Sequence, residues 1–101
     1  MSSTKRHFQG KGGVYKGSGS ITIAAITPED IADYDITDAN AAVGDVISVS
    51  LAEADMEDNL CVVGSWVAAA GTISVRIANI AAAGGSNLSG GSATVYYSIL
   101  K

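Results

Sequence analysis

Short runs of strict apolar–polar alternation recur along this chain, and no stretch carries helical spacing over enough residues to build a full helix. A period of two puts successive side chains on opposite faces of an extended backbone, so each run reads as a strand with one buried face. Thr72-Ile73-Ser74-Val75-Arg76-Ile77-Ala78 is the cleanest, with Ile73, Val75 and Ile77 inward and Thr72, Ser74 and Arg76 outward. Residues 20–26 put Ile21, Ile23 and Ala25 on one face, and residues 46–51 align Ile47, Val49 and Leu51. Residues 93–100 set Val95, Tyr97 and Ile99 against Tyr96, and residues 33–37 make a further short strand. Residues 60–67 are apolar on both faces, as a central strand covered on each side would be. Thr27-Pro28-Glu29-Asp30 ends the first run, because proline donates nothing to a ladder, and Thr27 is placed to cap a single helical turn. Val43-Gly44-Asp45 and Ala70-Gly71 are turns, residues 52–59 are an acidic loop or one helical turn, and residues 81–92 are a Gly/Ser/Ala loop. The pattern predicts an all-β protein: an antiparallel β-sandwich or small barrel of six to seven short strands with an extended N-terminal arm. A parallel sheet would need helical crossovers, and no segment supplies them.

Length and composition narrow the function classes. At 101 residues the chain holds one hydrophobic core. Hydrophobic residues make up 48% of it, but they are mainly Ala, Val and Ile, so each buried side chain removes less apolar area than Leu or Phe would. No run approaches the ~20 apolar residues of a membrane span, and no signal peptide precedes the first polar stretch. The single Cys61 excludes an internal disulfide framework and a multi-cysteine zinc site, and the single His7 leaves few ways to build a catalytic base.

Charge is segregated along the chain. Residues 1–16 carry Lys5, Arg6, Lys11 and Lys16 and no acid, whereas residues 17–58 hold all ten acids and no base. Arg76 and Lys101 complete a net charge of −4. Four bases are few for a nucleic-acid contact, and the acidic body repels phosphate. A protein surface or a neighbouring copy is the expected target. Residues 1–20 contain Gly10, Gly12, Gly13, Gly17 and Gly19, a density costly in backbone entropy to order alone. Residues 1–19 therefore read as a flexible basic arm that orders on a partner, and residues 20–101 as the folded domain. Lys5, Arg6, Phe8, Lys11, Val14, Tyr15 and Lys16 are the candidate contacts, the cations for an acidic surface and the apolar side chains as anchors.

Candidate chemistry is thin. Asp33-Tyr34-Asp35-Ile36-Thr37 matches the D-x-D-x-T of enzymes that form an aspartyl-phosphate, but that chemistry needs a parallel-sheet scaffold, a distant Lys and a third acid. As a calcium loop the stretch puts Asp38 where the turn glycine belongs and Gly44 where the bidentate Glu belongs. An irregular Ca²⁺ site at Asp38 or Asp45 remains open from sequence. Glu53, Asp55, Glu57 and Asp58 read as a solvated acidic loop, or else as a weak cation site or a docking patch for a basic partner. Cys61 reads as a small core hydrophobe and Trp66 as a core residue. Ser65 lacks the second glycine of a nucleophile elbow, and Gly10-Lys11-Gly12-Gly13 lacks phosphate-loop spacing. No catalytic residue, metal ligand or cofactor is expected.

Apolar residues at outward positions, Ala24, Ile26, Val63, Val67 and Tyr96, together with 16 Ala and 12 Gly, favour a symmetric oligomer, a trimer first. From Val43 onward the chain resembles small structural proteins of tailed-bacteriophage virions. The resemblance rests on the order of a "VGDVISVS" strand, a variable loop, the "VVGSWVAAAGTISVRIANI" hairpin, a Gly/Ala/Ser loop and a terminal "ATVYYSIL" strand. It covers a little over half of the chain, and the acidic residues 52–58 do not map onto the group. The resemblance implies an all-β virion subunit, usually trimeric, without cofactor, catalysis, nucleic-acid or membrane partner. It implies a head-decoration (cement) protein on the capsid surface, bound to the major capsid protein and assembled in the host cytoplasm. The alternative is a head-fibre, tail or baseplate component that contacts the host surface.

Overall fold

A computed structural model describes residues 13–101. These residues form six strands: β1 (Val14–Ile23), β2 (Ile31–Thr37), β3 (Val46–Leu51), β4 (Leu60–Ala69), β5 (Thr72–Asn79) and β6 (Gly91–Leu100). One 3₁₀ turn, Glu53–Asp55, interrupts the acidic loop. The strands make two three-stranded antiparallel sheets, ordered β1-β6-β3 and β2-β5-β4. They pack face to face as a β-sandwich.

The inward residues are those the alternation selects. Ile73, Val75 and Ile77 of β5 and Val95 and Ile99 of β6 are fully buried, with Ile21, Ile23, Ile36, Leu51, Leu60, Val67 and Tyr97 around them. Neither central strand is the one expected. β4 lies at a sheet edge, and β5 and β6 occupy the middles. The register of β4 slips between Val62 and Gly64 and again between Val67 and Ala69. Each slip inserts an unpaired residue that twists and bends the strand. The apolar run of β4 thus reflects the bulges rather than cover on both faces: Val63 and Trp66 stand exposed while Val67 turns inward.

Other assignments shift for similar reasons. β1 starts at Val14, inside the stretch read as an arm, and pairs continuously with β6 from Val14↔Leu100 to Ile23↔Gly91. Its glycines make room rather than supply freedom. A Cβ on Gly17 would lie 2.6 Å from the Tyr97 ring, and one on Gly19 would lie 2.8 Å from Ile36 Cγ2. Alternation fails after Ile23, so Ile26 is buried and Ala25 exposed. Thr27–Asp30 is a tight turn rather than a helical one. The Asp30 amide donates to the Thr27 carbonyl at 3.1 Å, and Glu29 takes a φ of +68°. That conformation is strained for a residue with a Cβ.

Buried polar groups tie the loops to the sandwich. Asn79 is 1% exposed, and its amide donates to the carbonyls of Ile26 and Ser86, at 2.9 Å each. Its side-chain oxygen accepts from the Ala81 amide at 3.0 Å. One side chain thereby ties the loop after β1 to the loop after β5. On the other side of the core, the Tyr97 hydroxyl donates to Asp38 Oδ2, clamping β6 to the turn after β2.

Candidate docking surface

The outer face of the β1-β6-β3 sheet carries the even-numbered residues of its strands. At one end the register aligns Val14, Leu100 and Val46 across all three strands. Val43 stands in the turn leading into β3, and Tyr15 lies at the same end on the opposite face of β1. These five side chains are between 43% and 71% exposed. Exposed apolar residues scattered singly are ordinary, whereas neighbouring strands that present them in one row form a contiguous patch, the usual mark of an interaction surface. Lys101 Nζ pairs with Asp45 Oδ2 at 2.7 Å beside the row. The Lys101 ammonium, then the Ala42 amide, hold the Asp45 carboxyl below the usual carboxylate range. Further along the face, Lys16, Ser48, Ser50, Tyr96 and Ser98 line a shallow concavity of about 340 Å³.

Of the contacts expected from sequence, Val14, Tyr15 and Lys16 belong to β1; Val14 and Lys16 stand on this face, and Tyr15 on the other. Lys5, Arg6, Phe8 and Lys11 lie outside the described residues. Two members of the rim, Val46 and Leu100, come from strands remote in sequence, so no local pattern could have joined them to Val14.

The opposite sheet face has a different character. Arg76 donates from Nε to Asp33 Oδ1 at 2.8 Å and from Nη2 to Asp33 Oδ2 at 3.1 Å. Its guanidinium lies 5.1 Å from the centre of the Trp66 ring. The Arg76 hydrogen bond holds the Asp33 carboxyl below its usual range. Asp35, one strand period along, accepts from Ser74 Oγ at 2.8 Å. Both carboxylates of the D-x-D-x-T stretch are therefore side-chain ladder partners on an edge strand. Trp66, expected in the core, covers Arg76 from outside.

The other candidates also have structural duties. Ser65 Oγ donates to the Ile47 carbonyl at 3.1 Å, joining the β3 and β4 edges of the two sheets. Cys61 is half-buried. Tyr34 turns partly inward, where its hydroxyl accepts from the Ala24 amide at 3.0 Å. The acidic loop is less of a free patch than its charge implies. Asp55 accepts from the Thr94 amide at 2.8 Å, and Glu57 receives the amides of Ser89 and Gly90. Asp38 accepts from Tyr97 and Asn40, and Asp45 is held as above, so the carboxylates considered for an irregular Ca²⁺ site already serve turns. Among the described residues no three His, Cys, Asp or Glu side chains gather as a metal-binding group.

Comparison with known proteins finds no matching family model, no matching curated protein and no matching solved structure.

Proposed function

We propose that this chain is a structural subunit of a tailed-bacteriophage virion, a capsid decoration (cement) protein seated in several copies on the outer head surface. The observation that carries the reading is the Val14–Leu100–Val46 row with Val43 beside it. A small sandwich gains nothing for its own stability from four large apolar side chains left in water at one end. Covering them against a coat protein recovers roughly 25 cal/mol per Å² of apolar surface buried. Many copies on a closed shell then make modest individual contacts effective. Such a task needs shape and contact area, with no reacting group. The order of strands from Val43 to Lys101 supports the virion assignment in particular.

The test is to produce tailed-phage particles together with this chain, purify them, and locate it by immunogold labelling and cryo-EM. Label over the outer head surface is expected, and so is loss of the subunit from heads when Val46→Asp and Leu100→Asp are combined. Both positions are exposed, so circular dichroism of the double variant should match the parent. A chain absent from particles, confined to tails, or retained at full copy number by the double variant overturns the proposal.

A further inference from the structure

A β-sandwich of two open sheets has four free edges, and this one treats them unequally. The β4 edge is broken by its two bulges. On the β3 edge the outward Ile47 carbonyl is occupied by Ser65 Oγ. β2 carries Asp33 and Asp35 two residues apart, so an antiparallel copy centred on Tyr34 would set carboxylate directly against carboxylate. Bulges, capped carbonyls and charges of this kind are how sheets avoid pairing with other chains. β1 has neither bulge nor capped carbonyl. It runs ten residues without a bulge or a proline, carries Lys16 as its single charge, and pairs among the described residues with β6 alone.

The direction of its free backbone groups follows from the ladder. The Lys101 amide donates to the Gly13 carbonyl at 3.0 Å, in the register that continues through β1 and β6. In an antiparallel pair, residues alternate between facing the partner strand and facing away. Odd-numbered residues of β1 therefore bond to β6. Val14, Lys16, Ser18, Ser20 and Thr22 direct their N–H and C=O groups out of the sheet.

We infer that β1 is a self-pairing edge, joining two copies of this chain antiparallel about a twofold axis through Ser18. That register sets Val14 opposite Thr22, Lys16 opposite Ser20 and Ser18 opposite its own counterpart. Each of the five outward residues then donates one backbone hydrogen bond and accepts one. The two lysines stay apart, and Gly17 faces Gly19, so no bulky side chains collide. Half-exposed Tyr15 comes opposite Ile21 of the second copy, which gives its ring an apolar neighbour. The outcome is a continuous six-stranded sheet with the two apolar rims on one surface and at its two ends. A single strand pair buries less than the about 1,200 Å² of stable interfaces, so pairing depends on concentration and strengthens where copies are crowded.

Sedimentation equilibrium of the full chain, across concentrations reaching on the order of 1 mM, reads the association. The expected result is a rise from the monomer toward twice its mass. Ser18→Pro removes an N–H that faces away from β6, so it should keep the monomer's circular dichroism and abolish the rise. Position-specific oxidation gives a second readout in a Cys61→Ala background. Ser18→Cys lies on the axis and should form a disulfide dimer, because residues in such a pair sit about 5.5 Å apart, within disulfide reach. Ser20→Cys, facing Lys16, should form none. A chain monomeric throughout, a trimer indifferent to Ser18→Pro, or equal cross-linking at both positions overturns the inference. So does association that appears only after residues 1–12 are deleted, since the start of the same chain would then be what fills the edge.

Discussion

Replacing Asn79 by Ala removes a side chain that ties the loop after β1 to two points of the loop after β5. The Ala81 amide loses its partner in fully buried surroundings and the Ser86 carbonyl in partly buried ones, while the Ile26 carbonyl keeps the Leu88 amide. Each buried polar group left unpaired costs about 1–3 kcal/mol, and the vacated volume adds a cavity term. Water reaching Ser86 softens that share, so the sum comes to about 2–4 kcal/mol. Domains of this size have about 5–15 kcal/mol in all, so a sizeable share of the stability hangs on one amide. The melting temperature should drop by roughly 10–20 °C. Urea unfolding followed by Trp66 fluorescence and far-ultraviolet circular dichroism measures it, with an unchanged m-value showing that the same surface unfolds. Exposed Asn87→Ala is the control and should stay within about 0.5 kcal/mol of the parent. A loss below about 1 kcal/mol for Asn79→Ala would refute the claim that these bonds hold the loops.

Three further outcomes follow from the packing and the charges. Gly90→Ala should destabilise the protein strongly in urea titrations, because its Cβ would meet the Ile23 carbonyl at 2.5 Å with a φ of +78°, whereas Gly64→Ala meets open space and should be nearly silent. Gly17→Ala should cost about 1–3 kcal/mol by forcing the Tyr97 ring aside, and pairing it with Tyr97→Leu should recover part of that loss. Tyr97→Phe should change the pH dependence at both extremes. The Tyr97 hydroxyl, with the Asn40 amide second, holds the Asp38 carboxyl below its usual 3.8, so that stability is present above about pH 4 and lost as pH falls through the depressed value. The same bond pushes Tyr97 up from 10.0 to about 12, so its contribution is complete below pH 10 and lost as pH rises toward 12. The Phe variant should therefore differ most from the parent at neutral pH and converge on it at both ends; a constant difference would argue against the pair.

Local alternation was sufficient to identify the class of fold and most of its interior. Ile73, Val75 and Ile77 were legible as core because the period of a strand is a property of neighbouring residues and requires no knowledge of what covers them. The glycines of β1 were misleading for the complementary reason. Spacing at positions 17 and 19 reads as chain freedom until Tyr97 and Ile36 arrive from remote strands to fill the space. β4 looked central because its apolar residues lie close together, yet two bulges decide which of them face inward.

What the amino-acid order determined alone is an all-β chain of small side chains with its acids in one stretch, since composition and period act through nearest neighbours. Strand order, the join of Val14 to Leu100 and Val46, and the bonds of Asn79 and Tyr97 were decided only when the two sheets closed on one another. Pairing across dozens of residues depends on which edges meet and which buried polar groups find partners, and neither is written in any local window. The acidic loop shows the difference most plainly. Its charge reads as an open patch along the chain, yet Asp55 and Glu57 are turned onto the amides of Thr94, Ser89 and Gly90, which otherwise have no partners at that end of the sandwich.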